Sequence, residues 1–150
     1  DMRNNFRANY FHAVLNLFTS FGYFDHAYDN EKIFQNAHSS LKQNGIFILD
    51  FFNATLVKTK PSEQLILERG GIEFHVNKVI GKKSVTKQIR FQADGNSHSF
   101  TEKVELLEKS DFSLLAEKSN FILKECYGDY LLRPFDPPSS QRLIMLFEKK

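Results

Sequence analysis

Residues 11–52 read FHAVLNLFTSFGYFDHAYDNEKIFQNAHSSLKQNGIFILDFF. Phe11 to Phe18 is apolar except at His12 and Asn16, which suits a short strand buried on both faces. Thr19 to Phe24 then reads as a loop, and Asp29 or Asn30 as the cap of a helix carrying Ile33, Phe34, Ala37 and Leu41 on one stripe. Asn44-Gly45 supplies a left-handed stop. Ile46 to Phe52 is a second buried strand, its apolar run broken only by Asp50. A strand–loop–helix–strand unit of this length predicts a parallel crossover and so an α/β fold.

Beyond this unit the pattern changes. Leu65 to Glu68, Ile72 to Ile80, Val85 to Gln92 and His98 to Leu107 are strand-like. Gly70-Gly71, Gly81-Lys82-Lys83 and Asp94-Gly95 separate them, the last a strong hairpin dipeptide. Ile72, Phe74 and Val76 share one face, as do Val85, Ile89 and Phe91, with polar residues between them. An antiparallel meander with one wet face follows. Ser110 is positioned to cap a helix carrying Phe112, Leu115 and Ala116, with Asn120 at its end. Phe121 to Tyr130 and Arg142 to Glu148 read as strands, divided by the proline-stiffened loop Arg133 to Pro138. The strands near 12–18, 46–52, 121–130 and 141–149 are expected in one sheet, the first three parallel and the last antiparallel.

The 150 residues suffice for one domain with a substantial core, and 16 Phe with no Trp point to a core built on phenylalanine. A net charge of +2 on scattered basic residues argues against nucleic acid and against an acidic membrane surface. A single cysteine, Cys126, excludes an internal disulfide and suits a reducing, cytoplasmic setting. No apolar run approaches the roughly 18 residues of a membrane span, and Asp1-Met2-Arg3-Asn4 is not a secretory leader. The five histidines show no metal-ligand spacing, and no G-x-S-x-G frames a serine.

Several segments resemble, in order, the class I S-adenosylmethionine-dependent methyltransferases. Asp1-Met2-Arg3 resembles the D-M-R stretch after that family's third strand. Asn16-Leu17-Phe18-Thr19-Ser20-Phe21-Gly22-Tyr23-Phe24 resembles the fourth strand and loop of one subgroup. Leu41-Lys42-Gln43-Asn44-Gly45 through Asp50 is similar to L-K-P-G-G-x-x-x-x-D, with Gln43-Asn44 replacing Pro-Gly. Tyr127 to Tyr130 and Ser140 to Ile144 resemble the final hairpin. The family's G-x-G-x-G loop and the acidic residue ending its second strand do not occur here.

The resemblance implies a partial Rossmann-like methyltransferase sheet with an inserted antiparallel β meander. Residues 1–150 would be the carboxyl-terminal part of one methyltransferase domain, with 64–108 as the insertion. It implies S-adenosyl-L-methionine as cofactor, methyl transfer to a small-molecule acceptor, and an inactive chain in isolation. Asp1, Met2, Asn16, Leu17 and Phe18 would lie on the cofactor, although Asp1 reads rather as a frayed, charged terminus and Asn16 also as the polar residue of a local turn. Tyr23, Phe24, Asn53, Tyr127 and Arg133 would rim the acceptor, unless packing or display at the surface accounts for them; Arg133 would clamp a carboxylate or anchor the proline loop. Truncation of such a sheet exposes the strand Val14 to Phe18, so a homo-dimer, a strand-swapped assembly or aggregation through that edge is expected. Two other readings stand beside this one: a non-catalytic ligand- or partner-binding α/β module, and the same architecture serving a dinucleotide.

Overall fold

A computed structural model describes residues 1–4, 7–24 and 26–150. Strand β1 (Phe11–Asn16), helix α1 (Ala27–Ser40) and strand β2 (Leu41–Phe52) form the expected crossover, with β1 and β2 parallel. Helix α2 (Ala54–Lys58) leads into β3 (Glu63–Arg69), β4 (Ile72–Ile80), β5 (Ser84–Ala93) and β6 (Asn96–Glu105). Helix α3 (Lys109–Lys118) and strands β7 (Phe121–Tyr127) and β8 (Arg142–Lys149) complete the chain. Among the described residues, no helix is long and apolar enough to cross a membrane.

Two four-stranded sheets result. The first has the order β1-β2-β8-β7, with β8 antiparallel to both β2 and β7. This is the predicted arrangement. The second is the meander β3-β4-β5-β6, antiparallel throughout. Its strands therefore do not enter the first sheet. Two of its turns are two-residue loops with positive φ at both positions, Gly70-Gly71 (59° and 76°) and Asp94-Gly95 (51° and 75°). That geometry matches the right-handed twist of the strands it joins, which explains why these dipeptides mark the hairpins.

The core lies on one face of the first sheet. Phe47, Leu49 and Phe51 of β2 and Leu143, Met145 and Phe147 of β8 are buried there, under α1 and α3. Phe34 of α1 sits edge-on to its neighbours, with ring centroids 5.2 Å from Phe47, 5.6 Å from Phe147 and 5.7 Å from Phe21. Each such pair adds about 0.5–1.5 kcal/mol beyond the area it buries, so the phenylalanine-rich composition is a packing choice.

Four local expectations need correction. Strand β1 is not buried on both faces: it forms the sheet's edge, helix α1 covers one side, and Leu15 is 57% exposed, with Phe18 just beyond at 75%. Helix α1 is capped by neither Asp29 nor Asn30, because it starts at Ala27, and Asn30 is buried with its Nδ2 donating to Glu105 at 2.6 Å. The helix stops at Ser40, before Asn44-Gly45. Asn44, at φ 60°, instead absorbs the extra residues where the β1–β2 register shifts, and a side chain at Gly45 would come 2.8 Å from the Lys42 carbonyl. Ser110 is not the cap of α3; Glu108 is, in a reciprocal capping box with Asp111.

Candidate active site at the carboxyl end of the parallel strands

In open α/β sheets, ligands lie beyond the carboxyl ends of the parallel strands. Here β1 ends at Asn16 and β2 at Phe52, and the two termini are tied by one buried carboxylate. Asp50 is 1% exposed. Its Oδ2 accepts from the Phe18 backbone N–H (2.8 Å) and the Tyr130 hydroxyl (3.0 Å). Its Oδ1 accepts from Arg142 Nε (2.7 Å), with Arg142 Nη2 2.6 Å from the same atom. A buried carboxylate must be matched this fully, because an unpaired charge costs several kcal/mol.

The network holds a backbone that would not otherwise persist. Phe18 and Thr19 both take left-handed conformations, with φ of 57° and 62°. Each costs about 1–2 kcal/mol for a residue with a side chain. Thr19 is held at three points: its N–H donates to the Asp50 carbonyl, and its hydroxyl oxygen accepts from Phe52 N–H and from Arg142 Nη2, both at 3.1 Å. Strain clamped in this way is characteristic of a functional edge.

The loop then turns inward. Phe21 is fully buried against Phe34 and Phe112, and the Gly22 carbonyl accepts from Glu105 N–H at 2.8 Å, fastening the loop to the end of β6. Tyr23 and Phe24 line a groove there with Lys83, Ser84, Lys103 and Glu105. Burial, then the nearby Glu102 charge, raises the Tyr23 phenol above its ordinary value. Arg3 lies over the Phe24 ring at 4.4 Å.

The residues expected on a cofactor are partly brought together. Asn16 is only 8% exposed, its Nδ2 is 3.8 Å from the Met2 sulfur, and its Oδ1 has no hydrogen-bond partner. Met2 is anchored by its carbonyl, which accepts from Asn36 Nδ2. Leu17 is half-buried, its carbonyl taken by the Ser20 hydroxyl. Phe18 meets Asp50 through its backbone alone, leaving the ring at the surface. Asp1 pairs with Arg3 at 2.5 Å. Met2, Val14, Leu15, Asn16, Ile33 and Phe47 line an open groove of about 210 Å³. Small-molecule sites span roughly 300–1,000 Å³, so this groove alone is smaller than such a site. Asn16 lines this groove with its oxygen unmatched, and a buried acceptor left so costs about 1–3 kcal/mol until a donor arrives.

The acceptor-side residues are scattered. Asn53 is 1% exposed; its Nδ2 donates to the Pro137 and Ser140 carbonyls and its Oδ1 caps α2 by accepting from Thr55 N–H. Its polar atoms are thus engaged within the fold. Tyr127 ends β7, half-buried and bridged to Pro134. Arg133 is exposed and paired with Asp129, fixing the turn that precedes the proline loop. Sequence reasoning named none of Thr19, Tyr130 and Arg142 as site residues, and read Asp50 as the end of a motif and a break in an apolar strand without a partner. The signal was present: a lone carboxylate within an apolar strand requires a cationic or donor partner from elsewhere in the chain. Among the described residues, no group of three or more His, Cys, Asp or Glu is placed to hold a metal ion.

The crossover and the antiparallel final strand have counterparts among solved structures, although no likeness is carried by sequence. No family model and no curated protein matches the chain by sequence. Solved structures do match it. A S-adenosylmethionine-dependent methyltransferase from Clostridium acetobutylicum superposes with a TM-score of 0.84 at 16% identity, over 99% of this chain and 62% of that one. The CcbJ methyltransferase from Streptomyces caelestis gives 0.80 at 13% identity, over 99% and 61%. CalS10, an amino pentose methyltransferase from Micromonospora echinaspora solved with S-adenosylmethionine bound, gives 0.69 at 12%, over 100% and 63%. At these identities the likeness is one of fold, and the chain spans less than two thirds of each neighbour's length.

Proposed function

We propose that these residues form the carboxyl-terminal part of an S-adenosylmethionine-dependent methyltransferase acting on a small molecule, with the second sheet an insertion in that domain. The observation that carries the reading is Asn16: a buried amide with an unmatched oxygen, at the end of a parallel strand, next to a clamped left-handed turn. When bound, S-adenosylmethionine supplies a methyl group already activated by positive sulfur, so positioning and a dry pocket can carry much of the rate. Asn16 Oδ1 accepts a hydrogen bond from the cofactor. Met2, Val14 and Leu15 give it an apolar floor. The Asp50–Arg142 network fixes Phe18 and Thr19, and with them the approach to the acceptor. Tyr130, its hydroxyl fastened to Asp50 and its ring 60% exposed, is placed to line the acceptor side. Solved neighbours that include an amino pentose methyltransferase support a small polar acceptor. No G-x-G-x-G occurs in the 150 residues, so turnover is assigned to a form that adds such a loop, and the isolated chain is expected to be inactive.

The test is ligand-dependent thermal stability of the longest natural form that contains these residues. S-adenosylhomocysteine at a hundredfold excess over its dissociation constant is expected to add about 2.7 kcal/mol, with no shift from NAD. Asn16→Ala is expected to reduce the shift. A larger shift with NAD than with S-adenosylhomocysteine would overturn the reading.

A further inference from the structure

Strand β3 (Glu63–Arg69) is the edge of the second sheet, paired with β4 alone and in a register without shifts. All seven of its residues are exposed, including Leu65 (39%), Ile66 (64%) and Leu67 (46%). Edge strands are normally blunted by a central charge, a proline or a bulge, since an open row of N–H and C=O groups templates pairing with another chain. Strand β3 has its apolar residues in the middle and its charges near the ends. Pro61 and the Gly70-Gly71 turn lie just outside it.

Laid antiparallel on a second copy of itself about Ile66, the sequence Glu-Gln-Leu-Ile-Leu-Glu-Arg matches position by position. Glu63 falls opposite Arg69, Gln64 opposite Glu68, Leu65 opposite Leu67, and Ile66 opposite Ile66. Opposite charges and apolar pairs facing each other across strands are the stabilising unit of a sheet. Among the described residues, neither Glu63 nor Arg69 has an ion-pair partner within its own chain. At the ends, Pro61 falls opposite Gly71, which has no side chain to obstruct it, and space around both turn glycines is open.

We propose that β3 is a self-recognition edge: it pairs antiparallel with β3 of a second copy of this chain, on a two-fold axis through Ile66. Two second sheets then become one continuous sheet. The interface is isologous, so every contact off the axis is made twice and the assembly closes at the dimer. It is separate from the β1 edge, and it does not depend on the methyltransferase reading.

Sedimentation equilibrium of the 150-residue chain tests this through charge reversal. The unaltered chain is expected to dimerise. Glu63→Arg and Arg69→Glu, each of which sets like charges opposite one another at two symmetric places, are expected to raise the dissociation constant about tenfold or more. The double variant E63R/R69E restores opposite charges and is expected to return the constant to within about threefold of the original. Circular dichroism checks that the variants keep their fold, and their exposed positions favour it. A monomer at all concentrations, single variants that associate unchanged, or a double variant no tighter than the singles would each overturn the proposal.

Discussion

Removing Arg142 by Arg142→Ala deprives the Asp50 Oδ1 atom of both its contacts, at 2.7 and 2.6 Å, and takes a donor from Thr19. The Asp50 side chain is 2% exposed, so water cannot replace the guanidinium without opening the strand ends. Breaking a buried pair from one side costs about 3–5 kcal/mol. Arg142 itself is 19% exposed, which admits some solvent and places the cost at the lower end, about 3 kcal/mol. Asp50→Ala leaves the other partner nearer water, but frees the Phe18 N–H and the Tyr130 hydroxyl. It is expected to cost about 2–3 kcal/mol. Once either partner is gone the other loses its purpose, so the double variant should cost less than the sum, with a coupling of about 1–3 kcal/mol. Urea denaturation followed by circular dichroism measures all three. For 150 residues, each kcal/mol corresponds to about 2–4 °C in Tm, which puts Arg142→Ala about 6–12 °C below the unaltered chain. A loss under about 1 kcal/mol for Arg142→Ala, or additivity within about 0.5 kcal/mol, would refute the claim that this pair clamps the strand ends.

Gly128→Ala would drive its new methyl into the Ser140 hydroxyl and to 2.8 Å from the Ser140 Cβ, and that hydroxyl accepts the Asp136 N–H. A loss of about 1–3 kcal/mol is expected, read by the same denaturation, together with faster proteolysis of the 129–141 segment. His38 has its pKa held below the usual histidine value by burial, then by the Lys149 charge, and its Nε2 has no partner. A depressed value means the folded state prefers the neutral ring, so this contribution is complete above the unfolded pKa of about 6.5 and is lost as the pH falls below it. His38→Gln is accordingly expected to flatten Tm between about pH 7 and pH 5; an unchanged slope would count against the assignment.

The fold was legible because its strongest signals are local. Period-two runs, Gly-Gly and Asp-Gly turns, and a helix stripe with Ile33, Phe34 and Ala37 each state their element without outside help. The errors cluster where tertiary contacts overrode a local preference. Asn30 looks like a cap but is drawn inward by Glu105, seventy-five residues away in sequence. Asn44-Gly45 looks like a helix stop but serves a register shift set by β1. The site was less legible for the same reason. Asn16 carries its meaning in a run of neighbours, whereas Arg142 reaches Asp50 across ninety-two positions, and no short-range pattern announces such a partner. Helix α2, five residues capped by Asn53, is too short to carry a periodic signal.

The pairing of β2 with β8 joins Ile46 to Glu148, so the middle of the first sheet is closed by a strand that follows the whole meander in the chain. The second sheet is the opposite case, three successive hairpins whose partners emerge one after another. Hairpins of that kind form in about 1–10 μs, while non-local pairing must first overcome the entropy of a long loop. On the ribosome the meander can therefore be complete while β2 still waits, its apolar flank open to chaperones, until β8 leaves the exit tunnel. Translation order makes the emergence of β8 the step that covers β2.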